Sequence, residues 1–234
     1  LFTDRAADAC YPSMRWGADD VRADRLSRGI DGNTTSRVAR KLREALLGPG
    51  FPSSPIGGAK GLRMLIIQRR GGDGRIIRNA DEVAKQLGAE VMSFSREKPL
   101  LEQAKIAGSV NVIIGAHGAA LSWMVFAAPP AAVIELVAAE VPTAILTCSG
   151  EWNKDRFSIY GGMARLVGVH HICLRMRTRL RDLLSLQDVS GWRSWDIWAD
   201  YDMIAGALRD LRALDHRFQR EVGGVHSEVM HEVF

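Results

Sequence analysis

Cysteine is scarce in this sequence and widely spaced. Three residues, Cys10, Cys148 and Cys173, occur in a chain of 234. A disulfide-stabilised scaffold needs more cysteines, and a zinc site needs cysteine or histidine ligands in close spacing. The sequence therefore excludes both, and it leaves open whether one bridge forms beside a spare thiol.

Long apolar runs and a strong charge imbalance are also missing. The longest apolar stretches have the length of strands, whereas a membrane-spanning helix needs about 20 apolar residues. The formal net charge is only +4, which mildly favours an anionic ligand. One basic cluster, Arg175–Arg181, has no interleaved aromatic residues, so the sequence predicts no nucleic-acid partner. The composition, 47% hydrophobic, is that of a globular protein that can bury one good core and a small appendage.

A stretch rich in glycine, proline and serine divides the chain in two. This stretch, Gly48–Gly61, is the best candidate for a linker. Before it, apolar residues recur on one face of Ser36–Leu47, which predicts a helix. We therefore expect an N-terminal segment at residues 1–60 and a main domain with C-terminal helices at residues 61–234.

The main domain alternates between short apolar runs and amphipathic stretches. The predicted strands are Leu62–Gln68, Ala89–Phe94, Val110–Ile114, Ala132–Val137 and His170–Leu174. One predicted helix begins at Asn79 and is ended by Gly88, and another begins at Pro99. Further predicted helices cover Ala119–Phe126, Arg156–Val167 and Tyr201–Val222. This alternation indicates an α/β fold, a Rossmann-like parallel sheet with helices on both faces.

A small-residue turn follows the predicted strand Val110–Ile114. Gly115 and Gly118 let the chain turn sharply and approach a ligand closely. The first amides of the next helix, from Ala119 on, have no partner within the helix and favour an anion together with the helix dipole. His117 is placed to donate to a phosphate oxygen. The alternatives are a turn required only for packing and a purely structural histidine.

Arginines follow the first strand of the main domain. Arg69 and Arg70 precede the glycine loop at residues 71–74, and Arg75 follows it. The carboxyl ends of parallel strands share one edge of the sheet, so this loop should lie near the turn that contains His117. Arginines there can clamp a diphosphate through paired hydrogen bonds. The alternative is that some of them are solvated surface residues.

Two polar residues complete the candidate site. Glu135 lies inside the apolar run Val133–Val137, where a carboxylate is costly unless it has a partner. A ribose diol is one possible partner and a nearby arginine is another. Asn79 is a candidate ligand-binding residue of the same site. It also stands where its side chain can cap the next helix, with Glu82 reaching back in a capping box.

Two patterns near the C-terminus have ordinary explanations. Trp192, Trp195 and Trp198 recur at every third position, which is typical of a helix face, with a sugar-stacking platform as the alternative. Asp200 and Asp202 match the Asp-x-Asp pattern that holds a divalent ion in metal-dependent transferases. No apolar strand precedes them, and Asp200 is well placed as a helix cap. We therefore predict no metal site.

Taken together, these segments resemble glycosyltransferase family 61, the DUF563 group, over roughly residues 60–175. The segments that carry the resemblance are Gln68–Glu82, Gln103–Ala107, Val112–Leu121, Met124–Phe126, Pro129–Pro130, Ala132–Leu136 and Phe157–His171. The His-Gly-Ala turn followed by a spaced glutamate is the most specific of them. The chain departs from the family at Gln68, Ala120 and His171, where serine, glycine and tyrosine are more usual.

The resemblance implies the C-terminal, donor-binding lobe of a two-lobed transferase of the B type, with the upstream lobe truncated or absent. It implies inverting transfer, without metal or cofactor, from a UDP-sugar of the xylose, arabinose or N-acetylglucosamine class to a glycan or glycoprotein acceptor. His117 would be catalytic. It also implies the lumen of the Golgi or endoplasmic reticulum, with membrane attachment only through an N-terminal anchor outside this sequence. The alternative is a non-catalytic or degenerate nucleotide-binding module.

Overall fold

The structure, a computed structural model, describes residues 32–49, 62–69, 75–95, 97–139, 159–178 and 196–212. The predicted linker lies almost wholly outside the described residues, and so does the predicted domain boundary near residue 60. Arg70, Trp192 and Trp195 also lie outside them.

A six-stranded sheet forms the centre of the described structure. The strands are β1 (Met64–Ile67), β2 (Glu90–Met92), β3 (Val112–Ala116), β4 (Ala132–Ala138), β5 (His170–Thr178) and β6 (Ile197–Trp198). Their order in the sheet is β2-β1-β3-β4-β5-β6. The first five are parallel to their neighbours, and β6 runs antiparallel to β5. The predicted parallel α/β sheet is confirmed.

Helices connect the parallel strands and cover the sheet. They are α1 (Gly32–Leu47), α2 (Ala80–Leu87), α3 (Leu100–Gly108), a 3₁₀ helix (Ala119–Phe126), α4 (Ile159–Val167) and α5 (residues 201–212). Gly88 ends α2 in the left-handed conformation, with φ +68°, as predicted from its position. The predicted helix after the His117 turn has the expected bounds but 3₁₀ geometry, with the amide of Leu121 donating to the carbonyl of Gly118 at 2.9 Å.

Alternating residues of the strands point to two separate apolar layers. On one side Ile66, Ile114 and Ile134 pack with buried residues of α2 and α5. On the other side Leu65, Ile113 and Val133 pack with buried residues of α1, α3, the 3₁₀ helix and α4. Because both faces are covered, the central strands read as continuous apolar runs, and Glu135 is the exception among them.

Helix α1 packs on the same core as the main domain. Ala39 is buried in the layer that contains α3 and α4. The guanidinium of Arg43 is buried and donates from Nη1 to the carbonyls of Val125 and Ala127, both at 3.2 Å. Burial lowers the pKa of Arg43. The helix predicted in the N-terminal segment is therefore joined to the sheet by buried contacts as well as by the chain.

Asn79 does not cap α2 through its side chain, so that prediction is wrong. Its amide instead bonds the backbone of Ala199 in both directions, donating to the carbonyl at 2.8 Å and accepting from the amide nitrogen at 2.8 Å. The backbone carbonyl of Asn79 still starts the helix by accepting from the amide of Val83 at 3.0 Å. The side chain therefore joins the start of α2 to the segment before α5.

The two-residue strand β6 was not predicted. Its residues pair with Arg177 and Thr178 at the end of β5, and Ile197 also bridges Ile77. Trp198 therefore lies in a strand, and its prediction as part of a helix face is wrong. Asp200, by contrast, caps α5 as predicted, since its carboxylate accepts from the amide of Met203 at 3.1 Å.

The structure answers one question that the scarce cysteines left open. Cys173 on β5 is disulfide-bonded, so the chain forms at least one bridge. Separately, none of the described helices combines the length and the apolar character that crossing a membrane requires.

Candidate functional site

The predicted turn begins two residues later than its sequence suggests. Gly115 and Ala116 are still strand residues, paired with Glu135 and Leu136 of β4. The amide of His117 donates to the carbonyl of Leu136 at 2.8 Å, so β4 holds the exit of β3 in place. A Cβ on Gly115 would come within 3.0 Å of the Leu121 side chain, which indicates that this glycine serves close packing.

Arg75, from another part of the chain, approaches the turn closely at Gly118. The φ of Gly118 is +149°, a conformation that L side chains rarely adopt. A Cβ at this position would lie 3.0 Å from Nη1 and 3.3 Å from Nη2 of Arg75. The guanidinium therefore rests directly on the backbone at the start of the 3₁₀ helix, whose first residue is Ala119.

The residues that follow Arg75 are held by side chains from two other parts of the chain. Gln68, just after β1, donates to the carbonyl of Ile77 at 2.7 Å and accepts from its amide at 3.0 Å. Asp196 accepts from the amide of Ile76 at 2.9 Å and forms an ion pair with Arg78. These contacts fix the residues that follow Arg75, which itself has a positive φ of +56°.

Glu135 lies in the centre of the site with two histidine partners. Its side chain is 0% exposed. Oε1 is hydrogen-bonded to Nδ1 of His117, and Oε2 to Nε2 of His171 at 2.7 Å. Both histidine side chains are nearly buried, at 13% and 16% exposure. The carboxylate is thus bracketed by the exit of β3 on one side and by β5 on the other.

The histidines keep this buried carboxyl group ionised. Burial by itself raises the pKa of Glu135, but the hydrogen bonds from His117 and His171 outweigh it, and the pKa is lowered to about 2. An ionised carboxylate only accepts hydrogen bonds. Nδ1 of His117 and Nε2 of His171 must therefore both carry a proton and donate to Glu135.

Tyr160, in the first turn of α4, closes the site from the helical side. Its ring meets the His117 ring edge-on, with the centroids 5.2 Å apart. Burial and the negative charge of Glu135 raise the pKa of Tyr160 to about 12. The positive charges of Arg75 and Arg69 act in the opposite direction on this pKa, so both arginines lie within electrostatic reach of the phenol.

The structure brings together most of the residues that the sequence singled out. His117, Gly118 and Arg75 meet at the exit of β3, with Arg69 at the neighbouring exit of β1 and Glu135 directly behind the histidine. Gly115 lies inside β3, two residues before His117. Asn79 is committed to Ala199, and Arg70 is outside the described residues.

Sequence reasoning missed His171 and Tyr160 as members of the site. One signal was available for His171, because a buried glutamate needs partners on the neighbouring strands. β5 pairs with β4 so that Val133 is opposite His171 and Glu135 is opposite Cys173. The alternation of side chains then puts His171 on the same face as Glu135. No comparable local pattern marks Tyr160.

This arrangement has the chemistry to bind an anion. A guanidinium, a histidine and the start of a helix converge at the carboxyl edge of a parallel sheet, where α/β proteins bind their ligands. A family model, Glycosyltransferase 61, matches residues 7–134, which is more than half of the chain. The chain belongs to glycosyltransferase family 61.

The family match agrees with the resemblance seen in the sequence. It includes the Arg75 segment and the His117 turn, and it ends one residue before Glu135. No curated protein matches this family 61 glycosyltransferase. Within the described residues, no three histidine, cysteine, aspartate or glutamate side chains are grouped so that they could hold a metal ion.

Proposed function

We propose that this glycosyltransferase takes a sugar from a UDP-sugar and transfers it, with inversion, to a glycan or glycoprotein acceptor. The observation that carries the proposal is the contact between the Arg75 guanidinium and Gly118 at the start of the 3₁₀ helix. A delocalised cation beside unpaired helix amides is suited to a diphosphate. The proposal adds the donor class and the stereochemistry to the family assignment.

The roles of the site residues follow from where negative charge develops. When the bond from the anomeric carbon to the diphosphate breaks, its electron pair stays on the leaving oxygen. His117, Arg75 and Arg69 would stabilise this charge together with the amides of Gly118 and Ala119. Preorganised positive groups of this kind need no movement during the reaction. They also supply the positive charge that a divalent ion provides in metal-dependent transferases, which supports metal-independent transfer.

The structure changes the role that we assign to Glu135. Both of its oxygens are engaged by histidines and its side chain is fully buried, so we assign it to holding His117 instead of binding the ribose. Gly115 contributes close packing of β3 on the 3₁₀ helix. Both polar atoms of the Asn79 side chain bond the backbone of Ala199, so we assign Asn79 to joining α2 to the segment before α5 instead of binding the donor.

The disulfide bond at Cys173 supports an oxidising compartment, since such bonds persist in secretory and extracellular environments. The lumen of the Golgi or endoplasmic reticulum is the compartment that we propose. Acceptors there are glycans and glycoproteins. A donor sugar of the xylose, arabinose or N-acetylglucosamine class is the proposal for the transferred group.

The test is to measure UDP binding and sugar transfer on one preparation. UDP-xylose, UDP-arabinose and UDP-N-acetylglucosamine are offered with a glycan or glycoprotein acceptor, with and without excess chelator. We expect transfer that survives the chelator and falls at least about 100-fold in His117→Ala and Arg75→Ala. Arg209→Ala, which removes an exposed arginine on α5, is the matched control. UDP binding without transfer would identify a nucleotide-binding module instead, and loss of transfer in chelator would overturn metal independence.

A further inference from the structure

One member of the Glu135 cluster has no part in the function proposed above. His171 lies on β5, and its ring contacts the carboxylate from the side opposite to His117. We propose that His171 and Glu135 are positioning residues that act through His117, holding its ring with Nδ1 protonated so that Nε2 serves the leaving diphosphate. This inference rests on the proposed function.

The shape of the imidazole ring sets the direction in which each of its nitrogens points. The two ring nitrogens point in diverging directions, so a ring whose Nδ1 faces the buried Glu135 directs Nε2 away from the carboxylate. A histidine that donates from Nδ1 to a carboxylate and from Nε2 to a phosphate oxygen must be doubly protonated. When a diphosphate accepts a hydrogen bond from Nε2 of His117, the bond from Nδ1 to Glu135 therefore requires His117 to be in its cationic form.

The bond from His171 fixes the orientation of the Glu135 carboxylate. With His117 as its only partner, Glu135 could rotate about its last side-chain bond, and one buried oxygen would lack a hydrogen bond at a substantial energetic cost. His171 binds that second oxygen at 2.7 Å. Two bonds, one from the turn after β3 and one from β5, then fix the plane of the carboxylate, and the carboxylate fixes the plane of the His117 ring.

Charged and titratable groups surround the two histidines. Within the part of the chain that the structure describes, these are Glu135 from β4, Tyr160 from α4, Arg75 from the segment before α2 and Arg69 from the exit of β1. Tyr160 limits rotation of the His117 ring by its edge-on contact at 5.2 Å. Glu135 is the carboxylate among these groups, and both histidines donate to it.

His170 offers a matched control for His171. It precedes His171 on β5, and the alternation of side chains along a strand puts it on the other face. Its side chain is exposed, whereas that of His171 is 16% exposed and bonded to Glu135. A substitution of His171 therefore removes the histidine that bonds the carboxylate. A substitution of His170 removes a histidine from the same strand that does not bond it.

The experiment compares His171→Leu, His171→Gln and His170→Leu in kinetics and in nitrogen-15 spectra of histidine-labelled protein. For His171→Leu we expect kcat to fall about 10- to 100-fold, with KM for the UDP-sugar changed less than about threefold. Gln places an amide nitrogen near the position of Nε2 and should recover most of the rate. The Nδ1-protonated signal of His117 should be lost or averaged in His171→Leu and retained in His170→Leu.

Folding and function are separated in the same experiment. Thermal melts show whether His171→Leu has folded, and Glu135→Gln, which keeps the shape of the side chain, provides a second test of the same His117 signal. If His117 lacks an Nδ1 proton in the unmodified protein, or if His171→Leu keeps both rate and signal, the positioning role is overturned while the transferase stands. If no UDP-sugar is transferred, the spectra and UDP affinity still decide the positioning role.

Discussion

The guanidinium of Arg75 occupies the space that a side chain on Gly118 would need. Its Nη1 atom is 3.0 Å from the position of a Cβ on that glycine. The two residues are far apart in the sequence, one following β1 and the other following β3, and they meet because these strands are parallel neighbours whose carboxyl ends share an edge. This contact brings Arg75 to the His117 turn, and the two together form the diphosphate site that we propose.

Replacing Gly118 with alanine should damage the site in two ways. The backbone strain of a positive φ in an alanine costs about 1–2 kcal/mol, and the new methyl group must displace the Arg75 guanidinium. We expect a lower melting temperature and UDP affinity weakened about tenfold or more, measured by calorimetry. Gly162→Ala in α4 is the control, since a Cβ there meets nothing within 4 Å, and it should leave UDP affinity unchanged.

The ionisation of Glu135 should make stability depend on pH in an acidic window. Its pKa in the folded protein is lowered from 4.5 to about 2. Its contribution is therefore complete above pH 4.5 and is lost as the pH falls from there through 2. We expect the free energy of unfolding to fall across this window by up to about 3 kcal/mol more than in Glu135→Gln. Denaturant titrations at several pH values measure this difference, and equal slopes for the two proteins would contradict it.

Gln68 should control the site through the backbone of Ile77. In Gln68→Ala the amide of Ile77 loses its bond to Gln68, and the carbonyl of Ile77 keeps only the bond from the amide of Ala80, at a cost of about 1–3 kcal/mol. The segment that follows Arg75 then loosens, so UDP affinity should fall together with stability. Gln86→Ala, an exposed position on α2, is expected to change neither. A Gln68→Ala protein with normal UDP affinity would show that Arg75 is held by other contacts.

Tyr160 should be visible in an alkaline titration. Its pKa is raised to about 12, by burial first and by Glu135 second, so its ionisation should occur above that of an ordinary tyrosine. Stability linked to Tyr160 is present below pH 10 and is lost as the pH rises from there through 12. Absorbance near 295 nm should show a component near pH 12 that is absent in Tyr160→Phe. The same component would move to lower pH in Glu135→Gln if the carboxylate contributes as described.

The parts of the fold that the sequence predicted are those with local causes. The five parallel strands are apolar runs of strand length, and all five were expected near their observed positions. Gly88 and Pro99 mark helix ends because each has a restricted or unusual backbone preference. The His117 turn was recognisable because small residues there follow a buried strand and precede a helix. In each case the determining residues lie within one turn or one strand.

The features that the sequence did not predict depend on distant partners. Asn79 was expected to cap a helix, but its amide finds the backbone of Ala199, 120 positions away. β6 has two residues and no pattern of its own, and it exists because β5 and Ile77 offer it backbone partners. A strand of two residues is too short to show an alternating pattern, so the spacing of the tryptophans predicted a helix at Trp198.

By itself the sequence determined the parallel α/β fold, and its resemblance to family 61 gave the family. Hydrophobic periodicity and turn chemistry are sufficient for the fold, because they act between near neighbours in the chain. Only the tertiary structure decided that Glu135 binds His117 and His171, and that Arg75 rests on Gly118. The choice of partner for a buried charge depends on which strands become neighbours, and strand order is a property of the whole sheet.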